Sequence, residues 1–425
     1  MSSPTFRVAI IGGGIGGLCL AQGLRKGGLE PTVYERDESP SSRPQGFRVH
    51  IDPQGSAALH ACLPAHLWEV FDATGGDFSQ GFTLMTEQLD ELLCLHEDLA
   101  VHSIERHRSI SRITLRSVLL AGIENNVQFG KRFARYEEMT DGSYRLHFED
   151  GGTATADILV AADGVQSSLR RQYLPRAEPV DTGVLAIGGK VPLTDGVMAL
   201  VPSRLLDGPV LIMSPEPCSL FMALWRRSPE ATRTLHRLGI DQLPGGDEDY
   251  LMLGLGGRPE FLRTGPYPDA LVPAQLKNLL RSVVTRWHPN LRKLAELAQE
   301  SEMLVRSLRT SRPLAPWPAT RITLLGDAIH SMTPYRGIGA NIALKDAALL
   351  CSKLVEAQEG KKSVHDAIAE YENSMRDYAF AAVQASLKSM EQSVGAKRNP
   401  GFAVAKAGMR MVNKVPALKR MLAAR

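Results

Sequence analysis

The chain lacks a strong excess of charge and lacks a long apolar run. Its 425 residues include 49 basic and 46 acidic side chains, so the net charge is only +3. This balance gives no sign of a nucleic-acid binder. No apolar stretch reaches the eighteen or so residues that a membrane span requires, and residues 8–20 contain five glycines where a signal peptide needs a continuous helical core. We therefore expect a cytoplasmic protein with no transmembrane segment and no nucleic-acid partner.

Cysteine is scarce. The five cysteines show no paired spacing of the kind that holds a metal ion, which favours a reducing compartment and predicts no metal site. Hydrophobic residues make up 44% and charged residues 22% of the chain, as in an ordinary globular protein. At this length we expect two or three domains with large buried cores.

A glycine-rich turn lies near the N-terminus. Residues 6–11 read as a buried strand, and Gly12, Gly14 and Gly17 supply the G-x-G-x-x-G spacing before a helix that ends at Gly27-Gly28. The first glycine permits a tight turn, the second lets the backbone approach a pyrophosphate, and the third lets helix and strand pack closely. A second strand ends at Glu35, whose carboxylate can accept hydrogen bonds from both hydroxyls of an adenosine ribose. Only one such motif is visible, which favours one permanently bound dinucleotide.

A second carboxylate follows a strand in the stretch DILVAADGVQSSLR, residues 157–170. Residues 158–161 read as a buried strand, and Asp163-Gly164 comes directly after it. Asp163 can therefore contribute to a ligand site. The alternative is that its side chain only caps the turn that follows.

The stretch that organises the chain is RITLLGDAIHSMTPYRGIGANIALKDAALL, residues 321–350. A short apolar strand precedes Gly326-Asp327, and Pro334, Gly337 and Gly339 delay the next helix, which resumes at Ala340. Unpaired backbone N–H groups at a glycine-rich helix start suit a phosphate or a polarised carbonyl. The carboxylate of Asp327, at a strand end, suits hydrogen bonds from the hydroxyl groups of a ribose or ribityl chain. A phosphate site and a hydroxyl site together indicate a phosphorylated polyol cofactor.

These three motifs, GGGIGG with Glu35-Arg36, ADGVQSSLR, and GDAIHSMTPYRGIGAN, occur in the same order as in a known family. Over residues 6–360 the chain resembles the single-component FAD-dependent aromatic hydroxylases, the group A flavoprotein monooxygenases of the p-hydroxybenzoate hydroxylase fold. The resemblance implies cofactor contacts from Gly12, Gly14, Ile15, Gly16, Gly17, Glu35, Arg36, Arg43, Arg48, Arg112, Asp163, Gly164, Gly326, Asp327, Pro334, Gly337, Gly339, Ala340 and Asn341.

The resemblance also implies an α/β fold. In it a Rossmann-like FAD-binding domain, residues 1–180 and 311–360, is interleaved with a mostly β substrate domain, residues 181–310, to which residues 72–105 contribute. Residues 361–425 are expected to form a C-terminal helical segment. Its basic and apolar tail is expected by default to pack on the protein's own body; covering the substrate opening, packing on a partner subunit and touching a membrane surface are the alternatives.

As for activity, the resemblance implies a monooxygenase with bound FAD and a transient NADPH or NADH. Such an enzyme uses dioxygen to hydroxylate or epoxidise an electron-rich small molecule through a peroxyflavin. A reductase or dehydrogenase of the same fold, and a non-catalytic binding module, remain alternatives. The sequence leaves open whether the protein is a monomer or a homodimer.

The substrate is expected to be lipophilic, aromatic or polycyclic. Many phenol hydroxylases of this class carry an arginine that meets an acidic substrate, at a place where this chain has AIGGK, ending in Lys190. Either Lys190 takes that role or it points to solvent. The catalytic acid or base is not identified: His50, Tyr335 and Arg336 lie near the motifs, whereas His330 is expected to be structural.

Overall fold

A computed structural model gives the fold. It describes residues 6–40, 42, 47–77, 81–96, 104, 106–227, 232–233, 236–237, 249–265, 268–395 and 400–415. Arg43, a candidate cofactor ligand, lies outside these described residues.

The strands, in chain order, are β1 (Val8–Ile11), β2 (Thr32–Tyr34), β3 (Arg48–Ile51), β4 (Gly76–Asp77), β5 (Gly81–Thr86), β6 (Glu91–His96), β7 (Arg108–Ser111), β8 (Val127–Gln128), β9 (Phe133–Glu138), β10 (Tyr144–Phe148), β11 (Thr153–Ala156), β12 (Ile158–Ala161), β13 (Val180–Pro192), β14 (Val210–Met213), β15 (Cys218–Trp225), β16 (Tyr250–Gly257), β17 (Leu304–Thr310) and β18 (Ile322–Leu324). The helices are α1 (Ile15–Lys26), α2 (Pro53–Cys62), α3 (Ala65–Thr74), α4 (Arg112–Leu120), α5 (Ser168–Tyr173), α6 (Asp195–Met198), α7 (Arg204–Asp207), α8 (Pro259–Leu262), α9 (Pro273–Val283), α10 (Pro289–Leu297), α11 (Asp327–His330), α12 (Gly339–Gln358), α13 (Val364–Val394) and α14 (Pro400–Lys414).

A parallel sheet in the order β18-β12-β1-β2-β8 forms the centre of the larger core. Its strands are continuous apolar runs because both faces are covered; every residue of β1 and β12 is buried. The chain moves from β1 towards β2 on one side and from β12 towards β18 on the other. The sheet therefore changes direction between β1 and β12, where open α/β sheets bind their ligands.

The three motifs of the sequence follow three neighbouring strands of this sheet. The glycine turn follows β1, Asp163 follows β12, and Gly326-Asp327 follows β18. Because parallel strands end at the same edge of a sheet, the three turns lie side by side.

A seven-stranded sheet in the order β17-β13-β16-β15-β14-β5-β6 forms the second core; its pairs are antiparallel except β14 with β5. One face packs under α9 and α10 and buries alternate residues such as Ile187, Leu220 and Leu253. Side chains alternate along a strand, so the residues between them lie on the other face. Several of those, including Phe221 and Met252, are only half-buried.

The C-terminal helices brace both sheets. Tyr371 on α13 donates a hydrogen bond to the carbonyl oxygen of Leu324 at 2.9 Å. Asn413 on α14 accepts from the Cys94 N–H at 3.0 Å and donates to Glu91 at 2.6 Å, so α14 covers part of the edge strand β6. The tail thus packs on the protein's own body through the described residues 400–415, as expected. None of the helices in the described part of the chain is long and apolar enough to cross a membrane.

The predicted fold class is confirmed: a Rossmann-like α/β unit, a second sheet and C-terminal helices are all present. The division into domains at residues 180, 310 and 360 stays a prediction.

Glu372 on α13 generates a prediction about stability. The side chain is 1% exposed and accepts a hydrogen bond from the Thr323 hydroxyl at 2.8 Å. Burial raises its pKa from 4.5 to about 7. The folded protein therefore holds this proton more tightly than the unfolded chain. Below pH 4.5 this difference in proton binding stabilises the folded protein by roughly 3 kcal/mol. The stabilisation is lost as the pH rises to about 7.

Glu372→Gln should flatten this pH dependence, so the fall in melting temperature between pH 5 and pH 8 should be smaller than in the wild type. Glu391→Gln on the exposed side of α13 is the matched control and should behave as wild type. Parallel pH profiles for the wild type and Glu372→Gln would contradict the assignment.

Candidate functional site

The turn between β1 and α1 has the geometry of a dinucleotide site. Gly12 has a φ of +111°, and a Cβ there would lie 2.4 Å from the carbonyl oxygen of Ala162. A Cβ on Gly17 would lie 2.2 Å from the carbonyl oxygen of Gly12, so both glycines are required by packing. A Cβ on Gly14 would have no neighbour within 4 Å among the described residues. That open space, at a helix start without a side-chain cap or an acidic residue in its first turn, suits a pyrophosphate.

Glu35 lies beside this turn at the end of β2 and is 4% exposed. Its Oε2 accepts the Gly13 N–H at 2.7 Å, and its Oε1 accepts the Asp37 N–H at 2.9 Å. Two backbone donors thus fix the carboxylate where a ribose would lie. Each oxygen keeps a further lone pair that can accept from a hydroxyl.

Arg116 is a residue that the sequence reasoning did not assign to the site. Its Nε donates to the Gly13 carbonyl oxygen at 2.9 Å and its Nη1 to that of Pro40 at 2.7 Å, while Nη2 lies 3.9 Å from Glu35 Oε2. The buried guanidinium therefore joins the glycine turn to Glu35. The available signal was its position on α4, three residues before the buried Leu119 and therefore next to it on the helix surface.

Asp163 both caps a turn and faces the site. Its Oδ2 accepts the Ser168 N–H at 2.9 Å, which agrees with the capping alternative. Its Oδ1 is buried with no hydrogen-bond partner in the described part of the chain, and burial raises the pKa of the carboxyl. Gly164 has a φ of +78°, which turns the backbone away after Asp163. An unpaired buried oxygen beside the glycine turn points to a missing donor such as a ligand hydroxyl.

Asp327 follows β18 and begins α11. Gly326, with a φ of +61°, makes the sharp turn before it. The Asp327 side chain is solvent-accessible, yet protein surrounds it closely enough that desolvation raises its pKa, an effect that the charges of His330 and Arg112 partly offset. Both observations describe a carboxylate that a ligand can reach between closely set protein segments.

Asp346 on α12 holds this turn in place. Its Oδ2 accepts the Gly326 N–H at 2.8 Å and the His330 Nε2–H at 2.5 Å, and its Oδ1 accepts the Tyr378 hydroxyl at 2.6 Å. Burial alone would lower the pKa of His330, but the charge of Asp346 and their hydrogen bond outweigh it and raise the pKa. His330 is therefore ion-paired inside the protein, in agreement with its expected structural role.

The loop of residues 334–341 is anchored at both ends. At its start, the Thr333 hydroxyl donates to the carbonyl oxygen of Ser386 at 2.9 Å, and the Ser386 hydroxyl donates back at 2.8 Å. At its end, Asn341 accepts the Asp52 N–H at 3.0 Å and donates to the His50 carbonyl oxygen at 3.0 Å. The Asn341 side chain thus braces β3.

The loop is exposed at Pro334 and Gly337, while Gly339 and Ala340 are half-buried at the first turn of α12. Gly337 has a φ of +65°. No acidic residue lies in the first turn of this 20-residue helix, so its N–H groups and its positive dipole end are suited to a ligand anion or carbonyl.

The candidate arginines occupy different positions. Arg36 is half-buried and makes no hydrogen bond or ion pair within the described residues, so its charge is available to a ligand. Arg48 donates to the Ser109 hydroxyl at 2.8 Å, and burial lowers its pKa to about 10. Arg112 is exposed at the start of α4, close enough to Asp327 to lower the pKa of that carboxyl.

The Lys190 side chain does not point freely into solvent, because it has partners within the protein. Its Nζ lies 3.0 Å from Glu302 Oε2 and above the rings of Phe47 and Tyr250, at 5.5 and 5.1 Å from their centroids. Its charge is therefore used within the protein.

His50 and Tyr335, two of the residues considered for the catalytic acid or base, both have contacts within the protein. His50 stacks on His107 with 3.1 Å between their facing ring nitrogens. Burial raises the pKa of Tyr335 to about 12, so its phenol is a hydrogen-bond donor at neutral pH.

Ile15 and Gly16 lie in the first turn of α1, where both are buried; a Cβ on Gly16 would lie 2.7 Å from Leu325. Together, Glu35, Gly14, Asp163 and Asp327 follow neighbouring strands at one edge of the parallel sheet, where the carboxylates could accept from hydroxyls and the open backbone at Gly14 could bind a phosphate. This arrangement fits FAD.

Comparisons with known proteins agree with this geometry. Residues 281–386 match the model of an FAD binding domain, and residues 10–74 match an NAD(P)-binding Rossmann-like domain. The second match covers the same glycine turn and Glu35, so it does not add a second nucleotide site.

Among the relatives, a dual O-methyltransferase/FAD-dependent monooxygenase of Phaeosphaeria nodorum is 30% identical over 91% of this chain and 46% of its own length. The chain thus spans about half the length of the curated relatives that it matches first. A 6-hydroxynicotinate 3-monooxygenase of Bordetella bronchiseptica is 27% identical over 88% of both chains.

A crystal structure from Photorhabdus luminescens, provisionally assigned as an FAD-containing monooxygenase, superposes with a TM-score of 0.81. It is 34% identical, and the superposition covers 92% of this chain and 99% of the other. By this likeness in sequence and structure over nearly all of both chains, the protein belongs to the FAD-dependent monooxygenases.

Proposed function

We propose that this protein binds FAD permanently, takes reducing equivalents from NADH or NADPH, and transfers one oxygen atom of dioxygen to an electron-rich, lipophilic aromatic or polycyclic small molecule, by hydroxylation or epoxidation. The observation that carries the proposal is that the turns after β1, β12 and β18 lie together at one edge of the parallel sheet. The second sheet presents a face of half-buried apolar residues next to them.

Different residues would bind different parts of the cofactor. Glu35 accepts the ribose hydroxyls, the N–H groups after Gly14 and the charge of Arg36 bind the pyrophosphate, and Asp163 and Asp327 accept further hydroxyls. The start of α12, from Gly339, would offer its N–H groups and positive dipole end to the ring system. When bound, FAD supplies the hydride acceptance and oxygen activation that amino-acid side chains cannot perform.

The rest of the cleft must keep water away and position the substrate. The half-buried apolar residues of the seven-stranded sheet, such as Phe221 and Met252, suit this purpose. Because Lys190 is paired with Glu302, the proposed substrate is neutral and lipophilic rather than a small carboxylic acid such as salicylate.

We further propose that the protein acts in the cytoplasm as a monomer or homodimer, with its domains divided at residues 180, 310 and 360. Support for a reducing compartment comes from the five cysteines, which are all buried as free thiols.

Turnover with labelled dioxygen tests the activity. The purified protein is supplied with NADH or NADPH, with dioxygen labelled with the heavy oxygen isotope, and with a panel of neutral phenols and naphthols. The masses of the products are determined by mass spectrometry. We expect a product that carries one heavy oxygen atom, with reductant consumption that rises when the accepted aromatic is added. Stoichiometric hydrogen peroxide at a rate that no aromatic changes would instead indicate a reductase or oxidase.

Glu35 provides a test of the cofactor assignment. Glu35→Gln should weaken FAD binding to the apoprotein by about 10- to 100-fold, because each hydrogen bond to a charged acceptor contributes about 1.5–3 kcal/mol. Calorimetric titration measures the affinity. Glu38→Gln, an exposed change of the same charge three residues along the chain, should bind FAD as the wild type does. Equal losses in the two variants would point to a general charge effect and contradict the assignment.

A further inference from the structure

The face of the seven-stranded sheet opposite α9 and α10 carries three glycines close together. Gly188 on β13 pairs with Gly254 on β16, and Gly256 lies two residues further along β16. Paired residues of an antiparallel sheet point to the same side, and so do residues two apart on a strand. All three glycines therefore belong to one surface.

Two of these glycines are explained by packing. A Cβ on Gly188 would lie 2.7 Å from the Phe47 ring, and a Cβ on Gly256 would lie 1.9 Å from the Tyr335 hydroxyl oxygen. Both glycines are buried as a result. Phe47 adjoins β3 and Tyr335 belongs to the loop before α12, so each is brought to the sheet by the part of the chain that carries the cofactor motifs.

Gly254 is different. Among the described residues, the nearest atoms to a Cβ there would be Cβ and the carbonyl oxygen of its own sheet neighbour Phe221, at 3.7 and 3.9 Å, which is ordinary contact within a sheet. Its backbone has no left-handed conformation, so no local geometry requires glycine. It is also half-exposed, unlike the two glycines beside it. The space above Gly254 is thus a gap between Phe47 and Tyr335.

The gap continues sideways as an apolar strip. Gly254 pairs with Phe221, Phe221 with Leu211, and Leu211 with Leu84, each on the next strand of the sheet. Phe221, Leu211 and Leu84 are half-buried, whereas the residues that alternate with them form the core on the opposite face. At about 4.8 Å between strands, the strip from Gly254 to Leu84 is about 14 Å long.

The strip also lies next to the proposed flavin position. The Phe47 carbonyl oxygen accepts the Arg112 N–H at 3.2 Å, and Arg112 is the cation that acts on Asp327 in the cofactor cleft. A ring above Gly254 is therefore flanked by two aromatic side chains that both adjoin cofactor-binding segments.

We infer that the strip Gly254-Phe221-Leu211-Leu84 seats a flat, neutral, fused-ring part of the substrate, and that Gly254 determines whether a second ring fits between Phe47 and Tyr335. This inference rests on the proposed function for the identity of the neighbouring cofactor. It adds a substrate class and a specificity-determining residue, because a side chain at position 254 fills the gap without changing the cofactor site.

Equilibrium binding tests the inference without turnover. The FAD-loaded protein is titrated with phenol and with 2-naphthol, and the change in the flavin absorption spectrum gives each dissociation constant. We expect the wild type to bind 2-naphthol at least about tenfold more tightly than phenol, since the second ring buries additional apolar area. Gly254→Val should remove this preference by weakening 2-naphthol alone, and Gly254→Ala should give an intermediate value.

Folding does not confound the test, because valine is favoured in strands and Gly254 sits in ordinary extended backbone. FAD content and melting temperature of Gly254→Val should match those of the wild type. Thr155→Val, an exposed strand position on β11 away from the cleft, is the matched control and should leave both dissociation constants unchanged.

Equal affinity of the wild type for phenol and 2-naphthol would overturn the inference, and so would an unchanged naphthol preference in Gly254→Val. These results leave the proposed function standing if labelled oxygen still enters a product. Conversely, loss of the preference in Gly254→Val supports the strip as a binding site even if no aromatic compound is oxygenated.

Discussion

The structure depends on one topological constraint: β1, β12 and β18 are parallel neighbours, so whatever follows them meets at a single edge. Residues as distant in sequence as Gly12, Asp163 and Asp327 thereby share one cleft. The change of direction between β1 and β12 opens the space, and the packing of Gly12 against Ala162 shows how closely the two turns are set. The cofactor site is a consequence of this sheet order, and the second sheet supplies an apolar surface beside it.

Buried charged groups then fix each turn. Arg116 joins the glycine turn to Glu35, and Asp346 holds Gly326 and His330. Arg170 links the other two motifs, since its Nη1 donates to the Ala328 carbonyl oxygen at 3.0 Å. Such groups are costly to bury unless they are paired, so their pairing with backbone and with each other indicates that the cleft is rigid before any ligand enters. A rigid cleft lowers the cost of binding a large cofactor.

Much of this could be predicted from sequence because the signals are local. The spacing of Gly12, Gly14 and Gly17 and the carboxylate of Glu35 follow from one strand, one turn and one helix, and the order of the three motifs indicated the family. Arg116 and Asp346 could not be found in that way. Arg116 contacts a carbonyl 103 residues away and Asp346 an N–H 20 residues away, and only the tertiary fold makes these pairs. Gly254 was missed for a similar reason, since its open surroundings depend on Phe47 and Tyr335. The pairing of Lys190 with Glu302 could not be predicted either, because it also depends on the fold.

The central claim is that the cleft is built for a whole dinucleotide, with separate groups for the adenosine ribose and for the pyrophosphate. The most direct measurement compares the affinity of the apoprotein for FAD with its affinity for FMN, which lacks the adenosine and one phosphate. The account predicts that FAD binds at least about a hundredfold more tightly, because FMN has no adenosine ribose for Glu35 and offers one phosphate instead of two to the helix start after Gly14. Equal affinities would contradict it, since Glu35 and a second phosphate site at the glycine turn would then have no part in holding the cofactor.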